Sequence, residues 1–379
     1  CMYRLVQRRG IIGLFCLLFV ASSVVPGWAQ KDNRFEVSKN LDIFNSLLKE
    51  VEMFYVDSVD VDKTVQRGIE AMLAGLDPYT EYYPEQKTEE LSLMTTGEYG
   101  GIGSLIRQRN NEGGVMIAEP TEGMPADLAG LKPGDLILAI DTIDVSKATN
   151  SRVSELLKGV PNTKMVLTIQ RPGEKKPRKF EITRKQITTP QVTYYGVKND
   201  SIGYIYLKAF TIKSAQEVKE AFLDLKKNHN IKSLVLDLRG NGGGVLEGAV
   251  QIVGMFVPKG SEVLSTKGKI KQWDRTYRTS TEPLDTVMPL AILINGGTAS
   301  AAEIVSGSLQ DMDRAVLVGQ RSFGKGLVQA PRDLPYNGKV KITMSKYYIP
   351  SGRCIQQIDY SHRKEDGSVA AIPDSLTSV

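Results

Sequence analysis

Apolar and polar positions follow three different patterns along this chain, which indicates three regions of different structure. From about residue 35 to residue 93, apolar side chains recur every three or four positions, as in amphipathic helices. The first predicted helix has a stripe of Val37, Leu41, Phe44, Leu48, Val51 and Tyr55. The second has Val65, Ile69, Met72 and Leu76, and ends at Asp77-Pro78. We interpret the two helices as a packed pair or as an arm for dimerisation.

Short strands and turns are predicted from about residue 95 to residue 185. A turn over residues 132–135 leads into an apolar strand over residues 136–140. Two further strands, 165–170 and 179–183, flank an Arg-Pro-Gly-Glu turn and form a predicted hairpin. Its basic tip is interpreted as a solvated face and not as a nucleic-acid site.

Strands and helices alternate from about residue 188 onward. The predicted strands cover residues 202–207, 234–238, 290–294 and 315–318. One predicted helix begins at a capping box of Ser214 and Glu217 and runs to about Lys227, and another covers residues 300–309. This alternation implies right-handed crossovers and a largely parallel sheet. The expected fold class is multidomain α/β, with an N-terminal helical segment and a β-rich middle domain.

Composition and charge exclude several classes of protein. Of the 379 residues, 41% are hydrophobic and 24% are charged, which is typical of a soluble globular protein and excludes wholesale disorder. The net charge is +5, but Arg4, Arg8 and Arg9 lie in an N-terminal stretch without acids, so charge gives no argument for nucleic-acid binding. The sequence has two histidines, His229 and His362, which excludes multi-histidine metal sites. We expect no metal and no cofactor.

The first 30 residues have the layout of a secretory signal peptide. A basic start is followed by an apolar stretch over residues 10–25 and by a small-residue cleavage site at Gly27-Trp28-Ala29. The apolar stretch is short for a membrane span, which needs about 20 residues. We expect an extracytoplasmic, periplasmic protein, and an uncleaved anchor that holds it near the membrane is the alternative. After cleavage Cys354 would be the remaining cysteine, so no intramolecular disulfide is expected.

Candidate chemistry lies in three loops that follow predicted strands, residues 239–244, 295–300 and 320–326. Because functional loops lie beyond the carboxyl ends of parallel strands, these loops are expected at one edge of the sheet. Together they contain glycine amides, a serine at a helix start and a lysine between glycines. Such a set suits a nucleophile, a base and an oxyanion site.

Ser300 and Lys325 are the candidate nucleophile and base at that edge. The Ala301 N–H lies beside Ser300 at a helix N-terminus and would stabilise an oxyanion, with a second donor from glycine loop 242–244. Lys325 acts as a base only when neutral, and lowering its pKa from about 10.4 to near 7–8 requires about 4 kcal/mol of desolvation. Gln329 would share a strand face with Lys325 and orient its amine.

Each of these residues also has a plainer interpretation. Ser300 and Glu303 match a capping box, so the serine can simply cap the helix. Lys325 can be an exposed loop lysine, and Asp237 can be a structural partner of Arg239. The glycine loop can bind phosphate at a helix N-terminus, although it matches neither common phosphate-binding glycine pattern.

The same stretches resemble the carboxyl-terminal processing proteases, a tail-specific serine protease family. The resemblance is carried by Leu236-Asp237-Leu238-Arg239 with its glycine loop, Gly297-Thr298-Ala299-Ser300-Ala301-Ala302-Glu303-Ile304, Ser322-Phe323-Gly324-Lys325-Gly326-Leu327-Val328-Gln329 and Pro350-Ser351-Gly352-Arg353. The middle region resembles the PDZ domain of that family through Gly100-Gly101-Ile102-Gly103 and Ala129-Gly130-Leu131-Lys132-Pro133-Gly134-Asp135. The similarity extends from about residue 41 to residue 356.

The resemblance implies a serine endopeptidase that works through an acyl-enzyme. By it, Ser300 is the nucleophile, Lys325 the general base and Gln329 the orienting third residue. Gly243 and Ala301 would be the oxyanion donors. The implied partners are proteins or peptides with apolar C-terminal tails. A homodimer through the N-terminal helices is a separate expectation, which comes from their amphipathic pattern.

The resemblance also implies a division of the chain into domains. These are a signal peptide (1–30), an N-terminal helical region (31–93), a PDZ domain (94–187) and an α/β protease domain (188–379). In the PDZ domain the tail-binding residues would be Gly100, Gly101, Ile102 and Gly103.

Two departures from the family pattern bear on these expectations. Gly242 stands where the family usually has proline, which makes the glycine loop more flexible. The sequence ends at Val379, where many relatives continue, so a truncated form is expected. The alternatives to a protease are an inactive PDZ scaffold and a nucleotide-binding α/β enzyme, which lacks support from a phosphate-loop lysine.

Overall fold

A computed structural model describes residues 33–109, 113–364 and 367–372. The predicted signal peptide, residues 1–30, lies outside the described residues. The chain divides into two units, residues 1–68 and 69–379. Across the described ranges, the search for a helix of sufficient length and apolarity to span a membrane finds none.

The two N-terminal helices form where the apolar periodicity predicts them. Helix α1 is Arg34–Phe54 and helix α2 is Val61–Ala74. No residue of α1 is buried, and Leu41 on its stripe is 64% exposed. The prediction of a packed stripe is therefore wrong for α1, because nothing in its own unit covers it. In α2, Leu73 is buried.

The middle region is built around an antiparallel sheet. Its strands follow β1 (Glu81–Tyr83), helix α3 (Thr88–Thr96) and β2 (Glu98–Gly101). They are β3 (Ser104–Gln108), β4 (Val115–Pro120), β5 (Leu136–Ile140), β6 (Ile143–Asp144), β7 (Lys164–Gln170) and β8 (Arg178–Thr183), with order β3-β4-β5-β7-β8 and β6 on β5. The one-turn helix α4 (Pro125–Leu128) and helix α5 (Asn150–Leu157) complete the domain. Strand β9 (Lys185–Thr188) pairs with β2.

The middle domain has its own apolar core, as the alternating strand pattern requires. Strand β7 alternates buried and half-buried residues, and Met165, Leu167 and Ile169 all point into the core. Each such side chain contributes about 1.5–3 kcal/mol when fully buried. The predicted hairpin of β7 and β8 is confirmed, with Leu167 opposite Phe180.

The C-terminal region contains the predicted α/β sheet. Its strands are β10 (Val192–Lys198), β11 (Ile202–Leu207), β12 (Ser233–Asp237), β15 (Leu290–Ile294) and β16 (Val316–Gly319) in that order. Strands β11, β12, β15 and β16 are parallel, and β10 is antiparallel to β11. Helices α6 (Ser214–Asn228), α7 (Leu246–Gly254) and α8 (Ala301–Asp311) bury apolar faces in the core of this region.

The predicted capping box of α6 is wrong. The residue that precedes the helix is Lys213, without a side-chain cap. The Ser214 hydroxyl donates to the Ala209 carbonyl, and the Glu217 carboxylate accepts the N–H of Gln191 (2.6 Å) and of Val192 at the start of β10. Tertiary contacts with β10 therefore take the glutamate that the local pattern assigned to the cap.

A second, antiparallel sheet was not predicted. It contains β1, β13 (Glu262–Gly268), β14 (Arg275–Arg278), β17 (Leu327–Asp333) and β18 (Lys339–Tyr348). Strand β18 is the centre of this sheet, since β1, β13 and β17 all pair with it. A hairpin of β19 (Ile358–Arg363) and β20 (Val369–Ala371) follows. This sheet brings residues of β1 and β17 to the edge of the parallel sheet.

Candidate active site

The three loops predicted to carry chemistry meet at one edge of the parallel sheet. The Ala299 N–H donates to the Asn241 carbonyl (2.9 Å), which joins the second loop to the first. The Phe323 N–H donates to the Thr298 carbonyl (2.9 Å), which joins the third loop to the second. The prediction that these loops share an edge is therefore confirmed.

Ser300 lies at the start of α8 in a backbone conformation that residues other than glycine rarely adopt. Its φ is 56° and its ψ is −117°. A non-glycine residue held there costs about 1–3 kcal/mol, and such strain is common at functional sites. The next residue, Ala301, is buried, and its N–H meets no acceptor among the residues that the structure describes. This amide lies at the N-terminus of α8, beside Ser300, where the helix dipole is positive.

Glu303 is the buried centre of the site. One carboxylate oxygen accepts the N–H of Ser300 (2.7 Å) and of Lys325 (2.9 Å). The other accepts the Ser322 hydroxyl (2.7 Å) and the Gly324 N–H (2.6 Å). Burial raises the pKa of the Glu303 carboxyl, and these four hydrogen bonds oppose that rise. A single carboxylate therefore fixes the backbone of the predicted nucleophile and the predicted base together.

Tyr347 joins the same two residues from the second sheet. Its hydroxyl lies 3.1 Å from the Ser300 carbonyl and 2.5 Å from the Lys325 carbonyl, and it can donate to both. The side chain is fully buried, and burial raises its pKa well above the ordinary value for tyrosine. The neutral phenol therefore remains a donor at every working pH.

The Lys325 side chain is half-buried, and its amine faces an aromatic ring. The Nζ lies 4.3 Å from the centroid of the Tyr79 ring. Within residues 33–109, 113–364 and 367–372, this amine forms no hydrogen bond, so it is bonded neither to the Ser300 hydroxyl nor to the Gln329 side chain. Burial is the largest cause that lowers the Lys325 pKa, and the nearby Lys341 cation lowers it further. Both effects favour the neutral amine that a general base needs.

Gln329 lies on β17, but Lys325 precedes this strand and the strand register shifts between Val328 and Gln329, so the predicted shared strand face is not formed. The Gln329 amide nitrogen donates to the Thr343 hydroxyl (3.1 Å). Thr343 in turn accepts the Thr80 hydroxyl (3.3 Å). This chain of bonds fixes the Gln329 amide. Its action on the Lys325 amine stays a prediction.

Gly243 packs directly against Ser300. Its φ is +92°, and a methyl group at this position would come within 2.7 Å of the Ser300 Cβ. Its N–H donates to the Asn241 side-chain oxygen (2.9 Å), and Asn241 is fully buried. The loop is therefore held close to Ser300, and the Gly243 amide already has an acceptor.

Asp237 has the structural role that was its plainer interpretation. Its buried carboxylate accepts the Arg239 N–H (2.9 Å), the Arg239 guanidinium (2.6 Å) and the Tyr204 hydroxyl (2.6 Å). These bonds lower the pKa of the Asp237 carboxyl against its burial. The ion pair fixes the turn at which the glycine loop begins.

Neither histidine forms a Ser-His-Asp triad. His362 Nδ1 contacts both the Asp359 carboxylate (2.6 Å) and the Ser361 hydroxyl (3.1 Å). A triad places these two groups on opposite ring nitrogens, so this exposed cluster is no relay. His229 lies 3.8 Å from Asp224 at the end of α6.

A cleft in the middle domain lies between β3 and α5. It is lined by residues of the glycine loop, of β3 and of α5, namely Gly101, Ile102, Gly103, Ser104, Ile106, Ser154 and Leu157. In the described part of the chain, the N–H groups of Ile102 and Gly103 have no acceptor. Strand β3 is the edge of its sheet. Free amides beside an open strand edge suit a peptide with a terminal carboxylate.

Two residues of the site were missed or undervalued in the sequence. From the sequence, Glu303 was interpreted only as a capping partner of Ser300. Its position as an acid among the apolar residues of the predicted helix could have indicated a buried carboxylate. Tyr79 follows the turn that ends α2, and no local pattern connects it to Lys325. Among the described residues, no group of three or more histidines, cysteines or acids that could hold a metal ion is found.

Comparisons with known proteins identify the family of this chain. The chain matches the model of peptidase family S41 over residues 201–361 and a PDZ domain model over residues 116–171. A carboxy-terminal-processing protease of Bartonella bacilliformis is 36% identical over 356 residues, which is 92% of this chain and 81% of that protein. A probable CtpA-like serine protease of Staphylococcus aureus is 33% identical over 320 residues, which is 83% of this chain and 62% of that protein.

Among solved structures, the photosystem II D1 C-terminal processing protease is 29% identical, with a TM-score of 0.46, and the match covers 83% of this chain and 89% of that one. The assignment depends on the sequence matches, which extend over nearly the whole chain. The chain belongs to peptidase family S41, and its middle region is a PDZ domain.

Proposed function

We propose that this chain is a serine endopeptidase that binds the C-terminal tails of proteins in its PDZ domain and cleaves them with Ser300 and Lys325. The observation that carries the proposal is the Glu303 carboxylate, which accepts the backbone N–H of both residues. Helix capping needs only the bond to Ser300. The second bond, to the backbone of the half-buried Lys325, supports a role for Glu303 in holding the proposed nucleophile and base together.

The reaction follows from the groups at this edge. The neutral Lys325 amine accepts the proton of the Ser300 hydroxyl, and the Ser300 Oγ attacks the carbonyl carbon of the scissile peptide bond. The Lys325 ammonium then protonates the departing amine as the C–N bond breaks, which leaves an acyl-enzyme. The amine, neutral again, takes a proton from water, and the hydroxide attacks the ester. As the bond from the acyl carbon to Ser300 Oγ breaks, the Lys325 ammonium returns this proton to Oγ, which releases the new C-terminus and restores both residues.

The oxyanion donors proposed are the N–H groups of Ala301 and Gly243. The Ala301 amide is supported by its position at the start of α8 and by its lack of an acceptor within the described ranges. The Gly243 amide adjoins Ser300 but donates to Asn241, so it would share or exchange that acceptor when an oxyanion forms. Two such donors typically lower the activation barrier by several kcal/mol.

Gln329 is proposed to orient the Lys325 amine through its side-chain oxygen. Its nitrogen is held by Thr343, which leaves the oxygen as the acceptor that a protonated or neutral amine requires.

The PDZ domain is proposed to bind apolar tails with residues Gly100, Gly101, Ile102 and Gly103. The free amides of Ile102 and Gly103 support capture of the terminal carboxylate, and the β3 edge supports pairing with an extended chain. The apolar wall supplied by Ile106 and Leu157 supports a preference for apolar side chains.

Further features of the protein are proposed from the sequence. These are secretion to the periplasm, or anchoring near the membrane, by residues 1–30, and a division into domains at 31–93, 94–187 and 188–379. The exposed apolar stripe of α1 supports a homodimer, since a stripe of this kind is usually covered by a partner.

The test uses the mature protein with its Ser300→Ala and Lys325→Ala variants and an unfolded protein substrate that ends in apolar residues. We expect cleavage by the parent and none by either variant, with fragments followed by mass spectrometry. All three proteins should bind a peptide of the substrate's C-terminus. Binding by all three without cleavage by the parent would instead identify an inactive scaffold.

A further inference from the structure

The acidic groups around Lys325 are already occupied by other donors. Glu81 pairs with Lys341 in a short contact and accepts the Tyr83 hydroxyl (2.8 Å). Glu81 thereby favours the Lys341 cation, whose pKa is raised by this pair although burial lowers it. Both donors bind the Oε2 atom of Glu81, and within the described residues no ion pair joins this carboxylate to the Lys325 amine.

The second acid, Asp77, is used by its own turn. It is buried, and one oxygen accepts the N–H of Tyr79 (2.8 Å) and of Thr80 (2.8 Å). The other oxygen accepts the Thr80 hydroxyl (3.0 Å). These bonds turn the chain sharply after α2 and fix the position from which the Tyr79 side chain projects.

The third acid, Glu303, is filled by four donors from Ser300, Ser322, Gly324 and Lys325, all but one of them backbone amides. Each of the three acids favours the Lys325 ammonium through space, but none forms an ion pair with it. Among the residues that the structure describes, the close partner of the Lys325 amine is the face of the Tyr79 ring.

The Tyr79 ring is itself held in place. It meets the Tyr360 ring edge to face, with centroids 6.0 Å apart. Both rings line a cavity of about 270 Å³ beside Phe323 and Gly324. Burial and the Tyr360 hydroxyl raise the pKa of the Tyr79 phenol, so the ring stays neutral. A neutral ring attracts a cation through its quadrupole without adding a charge to the site.

We infer that Tyr79 is the positioning residue for the Lys325 amine, a role that rests on the proposed function of Lys325 as the base. A carboxylate partner would hold the lysine as an ammonium and raise its pKa by one unit or more. An aromatic face fixes the same amine more weakly, so the proton is easily lost when Ser300 needs an acceptor. The three carboxylates bind other donors, and the ring fixes the position of the Lys325 amine. The amine is therefore positioned without an ion pair that would keep it protonated.

The experiment measures the pKa of Lys325 directly, in the Ser300→Ala protein, so that it does not depend on cleavage. Competitive labelling of lysine amines with acetic anhydride across a pH series, read by mass spectrometry of the Lys325 peptide, reports this pKa. The variants are Tyr79→Phe, which keeps the ring, and Tyr79→Leu, which removes it and keeps an apolar side chain. Tyr79→Met is a second aliphatic variant in case the leucine protein does not fold.

We expect the Lys325 pKa of Tyr79→Phe to equal that of the parent and the pKa of the aliphatic variant to fall by about one unit. Equal values in the Phe and aliphatic variants, or a rise in the aliphatic one, would overturn the inference. In the protein with Ser300 intact, the aliphatic variant should lose kcat with little change in KM, and Tyr79→Phe should not. If the parent cleaves no substrate, the proposed function fails, while the labelling result still decides whether the ring holds the amine.

Discussion

The catalytic edge and the PDZ cleft use their backbone amides in opposite ways. At the catalytic edge, buried side chains accept the amides around the reacting groups, as Glu303 does for Ser300 and Lys325. In the PDZ cleft, the amides of Ile102 and Gly103 have no acceptor within the described part of the chain. The backbone N–H groups of Ser300, Gly324 and Lys325 are satisfied by the protein itself, whereas the Ala301 N–H beside them is left open within the described residues. The amides of the PDZ cleft would be satisfied by a ligand.

This difference follows from what each region has to do. A site for chemistry needs its groups fixed before the substrate arrives, because reorganisation during the reaction adds to the barrier. A peptide-binding cleft gains affinity by satisfying groups that are open in the free protein. The catalytic edge should therefore be sensitive to the loss of internal acceptors, and the cleft should be sensitive to changes in the ligand.

The largest effect is expected for Glu303→Gln. The amide nitrogen of glutamine would face backbone N–H groups, and at least one buried donor would lose its acceptor at a cost of about 1–3 kcal/mol. Because both reacting residues depend on this carboxylate, kcat/KM should fall by about 100-fold or more. A fluorogenic peptide assay and thermal unfolding measure the two effects.

The matched control is Glu98→Gln. Glu98 also accepts several side-chain bonds, from Gln186, Thr188 and Lys213, but its partner Lys213 is 47% exposed. We expect activity close to the parent and a much smaller change in melting temperature than at Glu303. Equal losses of activity and of melting temperature in both variants would show that the catalytic edge does not depend on its internal acceptors more than other regions do.

The next effect concerns the glycine loop. In Gly243→Ala, a methyl group would lie within 2.7 Å of the Ser300 Cβ and of the Ala299 carbonyl, at a φ of +92°. The clash should displace the loop or the nucleophile and lower kcat by about tenfold to 100-fold. Gly242→Ala is the control, since a methyl group there meets nothing within 4 Å. A parent-like kcat for Gly243→Ala would remove this loop from the oxyanion site.

The pH profile tests the neutral lysine. Because burial lowers the pKa of Lys325, kcat/KM should rise with pH up to that lowered value and fall about tenfold per pH unit below it. The folded protein also binds fewer protons than the unfolded chain between the lowered value and the ordinary one. Folding stability should therefore rise with pH over that interval. A flat profile between about pH 6 and 9, with the protein folded throughout, would contradict a lysine base.

The smallest effect is expected for the PDZ ligand. A peptide with an apolar C-terminus should bind the Ser300→Ala protein about tenfold more tightly than the same peptide with an amidated C-terminus, a difference of about 1.4 kcal/mol. Fluorescence anisotropy with the two labelled peptides measures this ratio. Equal affinities would mean that the Ile102 and Gly103 amides do not bind the terminal carboxylate of the peptide.

Most secondary structure of the α/β core could be predicted because its signals are local. Strands β11 and β15 match the predicted bounds, and the chain order of strands and helices placed their loops at one edge. The local signals failed where a distant partner competed. The Glu217 carboxylate accepts the Val192 N–H at the start of β10 instead of capping α6. In the second sheet, β18 pairs with β1 and β13 over long sequence separations that periodicity does not encode.

The sequence by itself determined the family, through motifs that include Ser300 and Lys325, and it is the basis on which these two residues are proposed as nucleophile and base. The tertiary structure alone decided what surrounds these residues. It placed Glu303 as their common acceptor and the Tyr79 ring over the lysine amine. The reason is physical: charge, volume and helical period belong to each short stretch of chain, whereas burial and the choice of hydrogen-bond partner exist only after distant stretches have packed together.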